Sequence, residues 1–111
     1  MANQSADLTR VFHALADPTR RAVLERLTLG PAAMTELAKP FPMALPSFYQ
    51  HLGVLEDSGL VQSRKSGRVR TYELTPEPLE AAQDWMADQR CQWETRLKQL
   101  DDYLAELKEK E

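Results

Sequence analysis

A helix followed by a short hairpin with a basic tip, between Pro46 and Tyr72, constrains the fold of this chain more than any other segment. Residues Ser47 to Asp57 have the spacing of an amphipathic helix with one apolar stripe. That stripe is formed by Phe48, Leu52 and Leu55. Gly59 predicts the end of the helix, because glycine adopts a left-handed conformation without a steric cost. The segment therefore predicts a helix over about residues 44–58, whose outward face carries Ser47, Tyr49, Gln50 and Gly53.

The residues after Gly59 have the pattern of a two-stranded β-hairpin. Strands Val61–Lys65 and Arg68–Leu74 flank Ser66-Gly67, a dipeptide suited to a tight turn. The hairpin carries four cations, which are Arg64, Lys65, Arg68 and Arg70. A helix of a size that fits the major groove of DNA, followed by a cationic hairpin, predicts a winged helix-turn-helix with residues 61–74 as the wing.

The remaining sequence predicts three helices before this unit and one long helix after it. Asp17 is suited to cap the free N–H groups of a helix that begins with Pro18. The predicted helices span about Ala6–Leu15, Pro18–Leu29, Met34–Lys39 and Pro78–Lys108. The expected fold class is therefore mainly α, with about five helices and a two-stranded wing. Residues 1–75 would form the DNA-binding part, with the N-terminal helix contributing to the dimer, and residues 76–111 a dimerisation helix within the same compact domain.

The last predicted helix is long for a chain of 111 residues and has a heptad pattern. Every seventh position is apolar, at Leu79, Met86, Trp93, Leu100 and Leu107. Leu97 and Leu104 complete a 4-3 apolar seam over residues 93–107, whereas Gln83 and Arg90 interrupt the first half. A helix of about 30 residues spans about 45 Å, more than a compact domain of this size covers. We expect the excess seam to pack on a second copy in a two-fold dimer.

The net charge of −3 is unevenly distributed along the chain. Residues 60–72 carry four basic side chains and no acidic one, whereas residues 73–111 carry eleven acidic and five basic ones. Affinity for DNA depends on the charge that faces the phosphates more than on the total. The charge therefore predicts weak non-specific binding and does not exclude DNA as a partner.

Composition excludes several other classes of protein. No apolar run approaches the roughly 20 residues that cross a bilayer, and the first residues lack the layout of a secretory signal. We therefore expect a cytoplasmic protein without a membrane partner. A single cysteine, Cys91, cannot form an intrachain disulfide. The sequence has no glycine-rich phosphate loop, paired nucleophile and base, or metal cluster, so neither enzymatic activity nor a cofactor is expected.

Several short motifs resemble the ArsR-type winged-helix repressors, in the same order and at the same spacing. The matching residues run from Leu8 to Leu74, and the last helix is similar in position and role. The motifs are Leu15-Ala16-Asp17-Pro18-Thr19-Arg20-Arg21, Leu45-Pro46, Gln50-His51-Leu52, Leu55-Glu56, Gly59-Leu60-Val61, Lys65-Ser66-Gly67-Arg68 and Tyr72-Glu73-Leu74.

The resemblance implies a homodimer, held by its first and last helices, that binds an operator and releases it when an effector binds. It assigns DNA binding to Pro46, Ser47, Tyr49, Gln50, His51, Arg64, Lys65, Arg68 and Arg70. It assigns the dimer interface to Leu8, Phe12, Met86, Trp93, Leu97, Leu100 and Leu104. Many members have serine in place of Tyr49 and a cation in place of Gln50, so we expect this chain to depend more on its wing.

The residues that make some of these repressors metal sensors are missing. Thiolate sensors carry Cys-x-Cys in the third helix, where this chain reads Met34-Thr35-Glu36-Leu37-Ala38. Sensors with sites in the last helix use histidine, and residues 78–111 contain none. We therefore expect no metal site.

Two other functions remain open at the level of sequence. The overall acidity, the uncharged helix face and the corner Phe41–Met43, which we expect to be exposed, favour a winged helix that binds another protein, since fold alone does not fix function. A thiol- or small-molecule-responsive repressor would use Cys91, or a pocket beside Trp85 and Trp93. The alternative for these three side chains is packing in the core or at an interface.

Three polar residues have two interpretations each. His51 either touches a phosphate or packs within its own helix. Arg20 and Arg21 either form a solvated face or reach the DNA backbone.

Overall fold

The computed structural model describes residues 4–110, with side chains from residue 7 onward, and confirms a mainly α fold with a β-wing. The helices of this part of the chain are α1 (Gln4–Leu15), α2 (Pro18–Leu27), α3 (Met34–Ala38), α4 (Leu45–Asp57) and α5 (Glu77–Glu109). The strands are β1 (Ala32–Ala33), β2 (Val61–Ser66) and β3 (Val69–Leu74). Helix α4 and the β2–β3 hairpin form the predicted helix-and-wing unit.

The sheet has three strands, whereas the sequence predicted two. Its order is β1-β3-β2, and both pairings are antiparallel, with Ala32 opposite Tyr72 and Ser66 opposite Val69. The hairpin loop is therefore Gly67-Arg68, so the predicted loop Ser66-Gly67 was wrong by one residue. Gly67 has a φ of 62°, and every described residue with a positive φ is a glycine. A positive φ at the first loop residue alone is the pattern of a type II′ turn.

The core lies between the first four helices and the inner face of the sheet. Its buried apolar side chains come from every helix and strand, including Val11, Ala14, Val23, Leu24, Leu27, Ala32, Leu37, Phe48, Leu52, Leu55, Leu60, Val61, Tyr72 and Ala82. The predicted apolar stripe of α4 is confirmed, since its three residues are fully buried. These contacts fix which face of α4 is turned outward.

Two predictions were wrong, one about the end of a helix and one about an exposed corner. Helix α2 ends at Leu27, and Leu29, which the sequence placed inside the helix, is 82% exposed. Phe41 is not an exposed corner, because its ring stacks on Phe48 with 5.3 Å between the centroids. Met43 also packs partly against the core. The corner therefore offers less apolar surface to a protein partner than the sequence suggested.

Helix α5 packs on the rest of the molecule only near its beginning. Ala82 is buried, and Trp85 meets Phe12 of α1 edge-to-face with 5.7 Å between the ring centroids. Residues 90–110 are exposed along their whole length. A helix of 33 residues is about 50 Å long, which explains why the molecule measures 76 Å along its longest axis.

Candidate nucleic-acid interface

Helix α4 exposes a polar face that begins at its first turn. Pro46, Ser47, Tyr49 and Gln50 are exposed, opposite the buried stripe. Ala44 stands at the N-cap and supplies no side-chain hydrogen bond, so the first-turn N–H groups of α4 are not capped by a side chain. Free N–H groups and the positive end of the helix dipole favour an anion such as a phosphate. This turn is therefore suited to contact a nucleic-acid backbone.

Arg20 is buried and joins three helices, a role that the sequence did not reveal. Its Nε donates to the carbonyl oxygen of Ala14 at 2.9 Å, and its Nη2 to that of His13 at 3.0 Å. Its Nη1 lies 3.0 Å from Nδ1 of His51 on α4. Arginine has only donors, so in the neutral form of His51 the Nδ1 accepts this bond and the ring carries its proton on Nε2. Neither interpretation of Arg20 was right, because its buried guanidinium is engaged by α1 and α4 and is neither solvated nor free to reach the DNA backbone.

Asp17 fixes the start of α2 beside the same histidine. Its carboxylate accepts hydrogen bonds from the N–H groups of Thr19 at 2.8 Å and Arg20 at 3.1 Å. The same carboxylate lies 3.8 Å from Nδ1 of His51. Desolvation acts to raise the pKa of Asp17, but the two backbone hydrogen bonds and the nearby His51 and Arg20 outweigh it and lower the pKa. Asp17, Arg20 and His51 thus hold α4 in a fixed position relative to α1 and α2.

The four cations of the wing are not equivalent. Arg68 lies in the loop at the tip and Lys65 lies near it, and both are exposed. Arg64 is 80% exposed and approaches the Glu73 carboxylate at 3.4 Å. Arg70 is half-buried and donates to Ser63 at 2.9 Å. The charge that is most accessible to a ligand is therefore concentrated at the tip.

A polar chain connects the base of the wing to α4. The hydroxyl of Ser63 donates to the Glu56 carboxylate at 3.1 Å and accepts from Arg70. Tyr72 is fully buried beside these groups, and within the described chain its hydroxyl has no hydrogen-bond partner. Burial raises the pKa of this hydroxyl, and the nearby Glu56 carboxylate acts in the same direction. No pattern in the sequence predicts a role for Glu56 or Ser63.

Comparisons with known proteins agree with this geometry. A helix-turn-helix domain model matches residues 15–64. The HTH-type transcriptional regulator Rv2034 of Mycobacterium tuberculosis is 49% identical over 72 residues, which are 65% of this chain and 67% of the relative. A crystal structure of an ArsR family transcriptional regulator is 56% identical and has a TM-score of 0.79, over 81% of this chain and 93% of the neighbour. The chain belongs to the ArsR family.

A further ArsR-like neighbour is a homodimer. The solution structure of a homodimeric winged helix-turn-helix DNA-binding domain from Mycobacterium bovis is 28% identical, with a TM-score of 0.63 over 85% of each chain. In the present ArsR-family chain, the stripe along α5 leaves large apolar side chains exposed, including Met86, Trp93, Leu97, Leu100, Tyr103, Leu104 and Leu107. Leu8 and Phe12 are half-buried on α1. An apolar stripe of this length is typical of a surface that a partner covers.

A cleft of about 730 Å³ lies between α1, the C-terminal end of α4 and the beginning of α5. Apolar groups of Leu8, Val11, Pro78, Ala81 and Trp85 line it, together with six carboxylates from Asp7, Glu56, Asp57, Glu77, Asp84 and Asp88. Trp85 thus lies at a cleft as one sequence hypothesis required, whereas Trp93 lies farther along the exposed helix. Cys91 is exposed on α5.

Among the described residues, neither a metal-binding cluster nor a membrane-spanning helix is present. No three histidine, cysteine or acidic side chains among residues 7–110 converge in a way that would hold a metal ion. No helix in the described part of the chain is long and apolar enough to cross a membrane. The predictions about metal sensing and cellular location stay predictions.

Proposed function

We propose that this ArsR-family protein is a homodimeric transcriptional repressor that binds an inverted-repeat operator through helix 44–58 and wing 61–74. The observation that carries the proposal is the exposed polar face of α4, with an uncapped first turn, on the same unit as the exposed cations Lys65 and Arg68. Residues 1–75 form the DNA-binding part, whose first helix also contributes to the dimer, and residues 76–111 hold the two copies together.

The two parts of the interface read DNA differently. The α4 face enters the major groove, where the amide of Gln50 pairs with N6 and N7 of adenine. Ser47, Tyr49 and the first-turn N–H groups contact phosphate and sugar, and so set the register of the helix. His51 carries the proton of its neutral ring on Nε2, which is available to donate to a phosphate oxygen. The wing cations Arg64, Lys65 and Arg68 contribute affinity that does not depend on sequence.

The two-fold symmetry of the dimer determines the form of the operator, and occupation of the operator causes repression. Two copies related by a two-fold axis recognise half-sites related by the same axis, separated by about one or two helical turns of DNA. The acidic α5 carries most of the negative charge and limits non-specific binding. The bound dimer then excludes other proteins from the same DNA.

A small-molecule-responsive repressor is the second candidate, and the cleft beside Trp85 favours it. Glu56, Asp57 and Ser58 at the end of α4 line this cleft, so a ligand there would touch the helix that reads DNA. We propose no metal effector, because the chain lacks the cysteine and histidine ligands that soft and borderline metals need. The protein-interaction alternative has lost part of its motivation, since Phe41 is packed on Phe48.

The test is fluorescence anisotropy of the purified protein with DNA from upstream of its own coding region, beside scrambled DNA, at several salt concentrations. A sequence-specific repressor is expected to bind the upstream DNA tightly, with a shallower salt dependence than the scrambled DNA. Weak binding to both, with the same steep salt dependence, would contradict an operator at this site. A pull-down that recovered a stoichiometric protein partner and no DNA would then favour the protein-interaction function.

A further inference from the structure

The polar chain between α4 and the wing uses the hydrogen-bonding capacity of Ser63 in both directions. Its hydroxyl donates to Oε2 of Glu56 on α4 at 3.1 Å and accepts from Nη1 of Arg70 on β3 at 2.9 Å. A hydroxyl placed between a carboxylate and a guanidinium makes two charge-assisted hydrogen bonds, which are stronger than neutral ones. One side chain of β2 thus links α4 to both strands of the wing.

The surroundings of this polar chain strengthen its hydrogen bonds. Glu56, Ser63 and Arg70 are all half-buried, so water competes for their hydrogen bonds less than it does at the tip. Ser63 lies opposite Tyr72 in the sheet, and Arg70 is the diagonal neighbour of Ser63 on the same face. Because Tyr72 is fully buried, this face of the hairpin is anchored in the core at the position of Ser63.

The wing extends well beyond this anchor. Gly67 is the fourth residue after Ser63, so the tip lies about 14 Å farther along the strand. A rotation of about 10° at Ser63 would therefore move the tip by about 2.5 Å, as follows from the same strand geometry. A displacement of this size breaks the short hydrogen bonds that a cation makes to phosphate. The angle at the base of the wing thus decides whether Lys65 and Arg68 reach DNA while α4 is seated in its groove.

We propose that Glu56, Ser63 and Arg70 form a strut that holds the wing at a fixed angle to the recognition helix, and that Arg70 is a positioning residue and makes no contact with DNA phosphate. The inference rests on the proposed function for its effect on DNA, and on the structure alone for its effect on the wing. Arg70 thus has a role different from that of the three other wing cations, whereas the sequence gives no reason to distinguish the four.

The first test compares Ser63→Ala with Ser66→Ala, the same substitution on the same strand at the exposed tip. Neither changes the charge of the protein. Ser63→Ala is expected to weaken binding to the upstream DNA about tenfold and to reduce its salt dependence, because the tip cations are no longer seated together with α4. Ser66→Ala is expected to remain within about twofold of wild type, as expected for an exposed side chain. Equal affinities of the two variants would overturn the strut.

For Glu56→Gln, the strut and simple electrostatics predict opposite changes in the affinity for DNA. The substitution removes a negative charge near the DNA, so simple electrostatics predicts tighter binding. The strut predicts weaker binding, because the amide of glutamine is a poorer acceptor for the Ser63 hydroxyl than a carboxylate. Tighter binding would therefore overturn the proposal. Circular dichroism and the thermal midpoint of each variant establish that the fold is retained.

A measurement without DNA separates failure of the strut from failure of the proposed function. Backbone ¹⁵N relaxation of the free protein is expected to reveal larger motions of residues 65–69 in Ser63→Ala than in wild type or Ser66→Ala. Unchanged motions would overturn the strut whether or not the protein binds the upstream DNA. If wild type fails to discriminate the upstream DNA while Ser63→Ala loosens the wing, the repressor function fails and the strut stands.

Discussion

Arg20 occupies the third position of α2, and its guanidinium is turned inward toward α1 and α4. Helical spacing contains the signal that places it there. Residues three, four and seven positions later are Val23, Leu24 and Leu27, all of them buried, so position 20 lies on the same inward face. Both sequence interpretations of Arg20, a solvated face and a contact with the DNA backbone, place it at the surface, where arginine usually lies. Its three hydrogen bonds to the groups around it reverse that expectation.

Replacing Arg20 with Met is expected to destabilise the protein by about 3 kcal/mol, because two carbonyl oxygens and the His51 ring would lose a buried donor. The neighbouring Arg21→Met is the matched control. Arg21 is exposed and donates to the carbonyl of Leu15, so its loss should cost less than about 1 kcal/mol. Urea unfolding at equal protein concentration measures both. Similar midpoints for the two variants would contradict an internal role for Arg20.

Asp17 is expected to make stability depend on acid pH. Its pKa is lowered in the folded state, so its stabilising contribution is present above the unfolded value near 3.8 and is lost as the pH falls through the lowered pKa. At neutral pH, Asp17→Ala should cost about 1 kcal/mol of helix capping. The difference between the urea midpoints of wild type and Asp17→Ala should shrink as the pH is lowered from 5 toward 2. A difference that stays constant over this range would exclude the carboxylate as its source.

At the scale of elements, the elements with a clear period could be predicted and the shortest ones could not. The spacing of three apolar residues was sufficient to identify α4 and its buried face, and the heptads were sufficient to identify α5. Strand β1 has two residues, Ala32 and Ala33, which are too few for any alternation. Its existence depends on pairing with β3, a contact between residues about 40 positions apart. The Ser63 strut was missed because a serine in a polar strand has no distinctive pattern.

Replacing glycine with alanine is expected to have opposite effects on stability in α4 and in the wing. Gly53 lies inside α4 with open space around the position of a Cβ, so Gly53→Ala should stabilise the free protein by about 0.5–1 kcal/mol. Gly67 has a φ of 62°, where an L-residue is strained, so Gly67→Ala should destabilise it. Thermal unfolding at one concentration provides both values. A decrease in stability for Gly53→Ala would mean that this face of α4 is already covered in the free protein.

As the proposed DNA-binding elements, α4 and the wing should respond differently to mutation. Arg68→Ala is expected to weaken binding to every sequence and to reduce the slope of log affinity against log salt by about one. Gln50→Ala is expected to relax the preference at one base pair, by about 1–3 kcal/mol. Anisotropy titrations over single-base variants of the upstream DNA and over salt concentration distinguish the two effects. If neither variant altered the affinity, the DNA surface would lie elsewhere on the molecule.

At the scale of the whole molecule, the exposed half of α5 carries apolar side chains that the rest of the chain does not cover. Trp93 is 69% exposed, and the apolar side chains that follow it along the seam are about half exposed. The preceding half is held by Phe12 and the core. A second copy that packs against this seam would complete the structure, in agreement with the homodimeric neighbour.

Leu97→Glu is expected to convert the protein to a monomer at micromolar concentration, because a carboxylate in an apolar seam loses its hydration without gaining a partner. Gln99→Glu adds the same charge to the same helix off the heptad seam and serves as the control. Sedimentation velocity distinguishes the two species. A dimeric Leu97→Glu protein would place the interface elsewhere.

The distance between the α5 seam and the α4 face has a genetic consequence. If two copies pair through the α5 seam, as proposed, a variant damaged only in α4 keeps its seam intact and continues to pair with wild-type chains. When both chains are made in equal amounts, random pairing leaves only about a quarter of the dimers with two functional halves. Such alleles should therefore be dominant in cells that carry both copies. Alleles that break the seam should be recessive, since their products leave wild-type chains to pair with each other.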